Sequence, residues 1–117
     1  MQLRMSTRTT EGVLVVDCSG RIVFGEESAS LRETVKKLLP LNSKVVMNLG
    51  EVNYIDSGGL GTLVSLYTSA RNAGGAVKLA KLSKRVGELL QITKLLTVFE
   101  VFDDVEAAAR SFQKASA

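Results

Sequence analysis

The feature that most constrains the fold is an alternation of two patterns along the chain. Short apolar runs rich in β-branched residues are separated by stretches whose apolar residues recur at helical spacing. Strands repeat every two residues and helices every 3.6, so each segment declares one or the other. Leu3, Met5 and Thr7 alternate with polar residues, as in a half-buried strand. Glu11-Gly12 supplies a turn, and 13–19 reads as its hairpin partner. Further strands are expected at 44–49 (KVVMNL), Ala76–Ala80 and 97–102, with 52–55 a separate short extended piece. Strands alternating with helices predict an α/β fold with a mixed sheet, mostly parallel after the first hairpin.

The helices carry their own start and stop signals. The first is expected to begin near Ser28 or Ser30, with Ser30 and Glu33 as a capping box and Leu31, Val35, Leu38 and Leu39 inward. Pro40 ends it. The second follows Asp56-Ser57-Gly58-Gly59, turns Leu60, Leu63, Val64, Tyr67 and Ala70 inward, and stops at Gly74-Gly75. Ser83 caps a third, with Val86, Leu89 and Leu90 on its apolar face. Asp103 and Glu106 open a fourth, with Val105, Ala108, Ala109 and Phe112 inward. The segment 20–25 (GRIVFG) reads either as a strand extension or as a loop that carries Ile22 and Phe24 inward.

Composition removes whole classes of function. The chain has no histidine, which takes away the commonest general base and metal ligand. Its one cysteine, Cys18, lies in an apolar run and reads as a small hydrophobe in a reducing, cytoplasmic setting. The N-terminal MQLRMSTRTT lacks the apolar core of a signal peptide, and no stretch of about 18 apolar residues is long enough to cross a membrane. A net charge of +3 is too mild to argue for nucleic acid. Lys78, Lys81, Lys84 and Arg85 read as a solvated basic surface.

The stretch 53–67 (NYIDSGGLGTLVSLY) carries most of the information. It sets Asp56 and Ser57 at a strand-to-helix turn, with Ser57 expected to cap the helix. Two glycines in a first helical turn cost about 1 kcal/mol each against alanine. Close backbone packing or the approach of a partner would account for that cost. Asp-Ser-Gly-Gly looks like the nucleophile region of a trypsin-like protease, yet there is no imidazole to activate Ser57, and no nearby Ser-x-x-Lys spacing supports a lysine base in its place. Gly58-Gly59-Leu60-Gly61 is no phosphate loop, because Thr62-Leu63 stands where lysine and a hydroxyl residue are required. The chain is therefore expected not to be an enzyme.

Taken whole, the chain resembles a STAS domain of the anti-sigma factor antagonist family. Asp56-Ser57-Gly58-Gly59-Leu60-Gly61 is similar to the family's Asp-Ser-Ser/Thr-Gly-Leu-Gly signature. The run 45–49 ahead of it, Gly20 closing the second strand and Gly74-Gly75 after the helix match in order and spacing. The resemblance implies one STAS domain over 1–117, a mixed sheet of about five strands and about four helices, and no cofactor. It implies that Ser57 accepts a phosphate, and that Asp56, Ser57, Gly58, Gly59, Leu60, Ile22 and Phe24 meet a protein partner.

That partner, by the same resemblance, is an anti-sigma factor that is also a serine kinase. The unmodified chain binds it and releases the sigma factor; phosphorylation at Ser57 ends the complex, and a serine phosphatase resets it. Neither nucleic acid nor membrane is an expected partner. A phosphate at Ser57 is expected to meet a favourable helix dipole and free amides, so the fold should tolerate it. The sequence departs from the family at Gly58, where Ser or Thr is usual, and at Arg21, where many members carry an acid. The alternative function is a scaffold or sensor-assembly subunit whose Ser57 is never modified.

Overall fold

The computed structural model describes residues 3–115. Strands β1 (Leu3–Thr10) and β2 (Val13–Ile22) pair antiparallel across Glu11 and Gly12, which both take positive φ as a tight hairpin requires. Then come α1 (Glu26–Leu38), β3 (Lys44–Ile55), α2 (Ser57–Asn72), β4 (Ala76–Ala80), α3 (Lys84–Ile92), a short 3-10 turn (Leu95–Thr97), β5 (Val101–Phe102) and α4 (Val105–Ala115). The sheet order is β1-β2-β3-β4-β5, parallel from β2 to β5. This is the mixed α/β architecture that the alternation predicts.

Both sheet faces are covered, which is why 44–49 is a continuous apolar run rather than an alternating one. On one face Leu14, Val16, Cys18, Val45, Met47, Leu49 and Leu79 pack against Leu31 and Val35 of α1, Leu63, Leu66 and Ala70 of α2, and Val86 and Leu90 of α3. On the other, Val13, Val15, Val46 and Ala80 meet Val105, Ala108, Ala109 and Phe112 of α4. Cys18 is buried and behaves as a hydrophobe, since burial pushes its thiol up to about 12.

Several expectations are corrected by the packing. Helix α1 begins at Glu26 after Gly25, not at a Ser30 capping box; Ser30 and Glu33 are exposed within the helix. Glu26 and Glu27 suit its dipole instead, and the buried Ser28 hydroxyl donates to the Val23 carbonyl. In α2 the inward residue is Leu66, while Val64 is half-buried. The strand expected at 97–102 contracts to Val101–Phe102, because 95–97 winds into a 3-10 turn after Lys94 at φ 66°. Asp104, not Asp103, accepts from the Ala107 amide at the start of α4, at 2.7 Å. The stretch 52–55 is no separate piece but the end of β3, which stays paired with β2 as far as Ile22 and Ile55.

Lys78 is not surface. It lies 6% exposed under α4, 2.7 Å from the Ser111 hydroxyl, 3.0 Å from Glu100 and 4.2 Å from the Phe112 ring centre. Its alkyl stem fills space that a shorter side chain would leave empty. Glu100 is largely solvated, and Ser111 also donates to the Ala108 carbonyl, so both tolerate losing the ammonium. We therefore expect Lys78→Met to stay within about 1 kcal/mol of the parent in urea melts, and Lys78→Ala to lose about 2 kcal/mol or more. A Met variant as unstable as the Ala variant would show that the charge, not the volume, matters.

Candidate functional site

The pairing of Ile22 with Ile55 ends β2 and β3 side by side, so the loop after β2 and the turn into α2 leave the sheet together. Asp56 joins them. Its extended backbone (φ −99°, ψ −175°) makes it the helix cap, and its carboxylate accepts from the Gly59 amide at 2.8 Å. The same carboxylate accepts from the Phe24 amide, at 3.1 and 3.2 Å to its two oxygens. The Asp56 amide in turn donates to the Ile22 carbonyl at 3.3 Å.

The two glycines are explained by this contact. A Cβ at Gly59 would land on the Ile22 carbonyl oxygen, and one at Gly58 would lie 2.6 Å from the Phe24 Cβ and 2.9 Å from its Cα. Of the two reasons open for the glycine pair, close backbone packing is the one observed. Nor do Gly58 and Gly59 form an open phosphate cradle. The Gly59 amide serves the Asp56 side chain, and the Leu60 amide donates to the Asp56 carbonyl.

The expected site residues therefore separate into two groups. Ser57 is exposed, but it is the first helical residue and not the cap, a role the Asp56 carboxylate takes by reaching Gly59. Phe24 points outward, 84% exposed, with its backbone held by Asp56. Leu60 is half-buried, and Gly58 lies beneath Phe24. Ile22 and Gly59 are buried against one another and cannot touch a partner; they set the spacing of the junction. Thus 20–25 is a strand extension that ends on the buried Ile22, followed by a loop that leaves Phe24 exposed.

On its far side Ser57 borders an open groove of about 600 Å³, whose walls include Tyr54, Leu60, Arg85, Glu88, Leu89 and Ile92. Ile92 is 77% exposed, a large aliphatic side chain at the end of α3 and outside its apolar face. Sequence reasoning missed Tyr54, Glu88 and Ile92 as neighbours of Ser57. An isoleucine out of phase with Val86 and Leu90 was the available signal. Exposed apolar residues thus lie on both sides of the turn, Phe24 against Gly58 and Ile92 on the groove that Ser57 borders.

The amides of Gly59 and then Phe24 hold the Asp56 carboxyl below its usual range. The Arg8 side chain, 2.7 Å away, does the same for Asp17. The folded state then holds each carboxylate more firmly than the unfolded chain does. The stability they confer is in place above the unfolded value of about 3.9 and is lost as pH falls through the lower folded value. We expect Asp56→Ala to cost about 0.5–2 kcal/mol near neutral pH. Its deficit should begin to shrink below about pH 4, where the unfolded chain takes up a proton that the folded parent still resists, and should go on shrinking toward the lower folded value. Urea melts across pH 3–7 measure both. A deficit constant across that range would show that the ionised form of Asp56 is not what binds the amides.

Comparison with known proteins follows the same outline. The STAS domain family model matches residues 4–108. BtrV of Bordetella bronchiseptica, a candidate anti-sigma factor antagonist, is 26% identical over 113 residues, covering 97% of each chain. The anti-sigma-B factor antagonist of Bacillus subtilis is 29% identical over 102 residues, 86% of this chain and 92% of that one. The Bacillus cell fate determinant SpoIIAA, solved in its phosphorylated form, superposes with a TM-score of 0.70 at 15% identity, over 92% of this chain and 99% of its own. Its unphosphorylated form gives 0.70 at 14% identity, over 92% and 96%. A family model spanning this much of the sequence, with the strand order and helices already described, leaves one assignment: the chain belongs to the STAS domain family.

Proposed function

We propose that this chain is an anti-sigma factor antagonist that works as a phosphorylation-controlled binding switch at Ser57. The observation that carries the reading is an exposed hydroxyl on the first residue of α2, next to a carboxylate engaged in holding the turn. Relatives described as anti-sigma factor antagonists, and a structural relative solved with and without phosphate, support it. In this reading the unmodified chain docks on an anti-sigma factor serine kinase through the surface around Ser57. Phe24 and Ile92 supply apolar contact on either side. ATP and magnesium belong to the kinase, a serine phosphatase resets the cycle, and this chain binds and is modified without catalysing.

In this reading the phosphate has a physical consequence. Two of the amides in the first turn of α2 are taken, Gly59 by the Asp56 side chain and Leu60 by the Asp56 carbonyl. A group carrying about −1.5 to −2 charges would therefore remain at the surface beside Asp56. Solvated, it costs the fold little. Buried against a partner without a counter-charge, it costs affinity, and about 3 kcal/mol suffices for a hundredfold loss.

Incubation with the cognate kinase and ATP should add one phosphate by intact mass, absent in Ser57→Ala. Ser57→Asp should melt within about 1 kcal/mol of the parent, since an acid in the first helical turn suits the dipole. It should bind the anti-sigma partner at least tenfold more weakly by calorimetric titration. Undiminished phosphorylation of Ser57→Ala would overturn the assignment. Unchanged affinity of Ser57→Asp would place Ser57 outside the interface and favour the non-switching scaffold.

A further inference from the structure

A phosphate on Ser57 enters a surface where the Gly59 and Leu60 amides are already committed, which leaves a side-chain cation as the strongest counter-charge within reach. Asp56 holds the Gly59 and Phe24 amides. Of the charged residues on the adjoining groove, Asp56 and Glu88 are negative and Arg85 is the cation. Arg85 is exposed and has no ion-pair partner among the described residues. Its backbone, by contrast, is fixed. The Ser83 hydroxyl donates to the Val52 carbonyl at 3.1 Å and accepts from the Val86 amide at 3.3 Å, which pins the first turn of α3 against the end of β3.

We propose that the Arg85 guanidinium is the intramolecular partner of phosphorylated Ser57, and that this contact draws Arg85 across the groove the free serine borders. The proposal rests on the reading of Ser57 as the phosphoacceptor. A guanidinium suits the role because its planar fork matches two phosphate oxygens at once and never loses its charge. Modification would then change the surface twice, adding charge at Ser57 and placing the Arg85 side chain over the apolar wall formed by Leu89 and Ile92. A partner shaped for the open groove meets both changes.

The test does not need the kinase. Phosphoserine placed at position 57 during translation can be titrated by ³¹P NMR, with circular dichroism confirming the fold of each variant. The second phosphate ionisation, ordinarily near pH 6, should fall about half a unit lower in the parent than in Arg85→Gln, the size expected of an exposed ion pair. Arg85→Lys should lie between the two. Arg110→Gln, exposed on α4 and remote from the groove, should match the parent. Equal midpoints in the parent and Arg85→Gln, or an equal rise in Arg110→Gln, would overturn the proposal. A kinase that ignores Ser57 while the Arg85-dependent shift stands would sink the switch and leave the contact. Efficient phosphorylation without the shift would do the reverse.

Discussion

The site depends on one carboxylate shared between two pieces of chain. Asp56 accepts from Gly59 within its own helix and from Phe24 in a loop 32 residues earlier. It thus caps α2 and fastens the β2–α1 loop in the same act. An N-cap aspartate alone is worth about 1 kcal/mol and leaves the neighbouring loop free. Here the second hydrogen bond and the Asp56 amide's bond to the Ile22 carbonyl close the junction from both sides. The glycines are the steric counterpart, since each gives up a side chain so that a backbone can lie where a Cβ would be.

This arrangement separates the residues that build the junction from those that face outward. Ile22, Asp56, Gly58 and Gly59 make the junction; Ser57, Phe24 and Ile92 face outward from it. Gly58 stands where the family more often carries Ser or Thr, and the space such a side chain would fill is taken by Phe24. The departure therefore leaves room for Phe24 to lie against the first turn of α2. The Ser57 hydroxyl takes no part in the hydrogen bonds that hold Asp56.

Much of this was legible in the sequence, and what was not follows a pattern. Elements with a strong period were read correctly: the β1–β2 hairpin, the buried run at 44–49, and α4 with Val105, Ala108, Ala109 and Phe112 inward. Caps were misassigned wherever two candidates stood side by side, Asp56 against Ser57 and Asp104 against Asp103. One residue's difference in backbone angle decides such cases, and composition does not record it. Ser30 and Glu33 fit a capping box by spacing, but the contact between Ser28 and Val23 starts the helix a turn earlier. Lys78 looked like surface because its charge was read and its stem was not. The nearness of 22–25 to 56–59 came from the family resemblance alone, since it is produced by the register of Ile22 with Ile55 and no local period records it.

Amide hydrogen exchange tests the shared carboxylate most directly. Phe24 carries a side chain that is 84% exposed on a surface loop, and its amide proton has Asp56 as its acceptor. In the parent, the Phe24 and Gly59 amides should both exchange well below unfolded-chain rates. In Asp56→Ala both should speed up together, while Val46, buried in β3 between two paired strands, should change only as far as global stability does. A Phe24 amide that exchanges at the unfolded-chain rate in the parent, or one left protected in Asp56→Ala, would contradict the account.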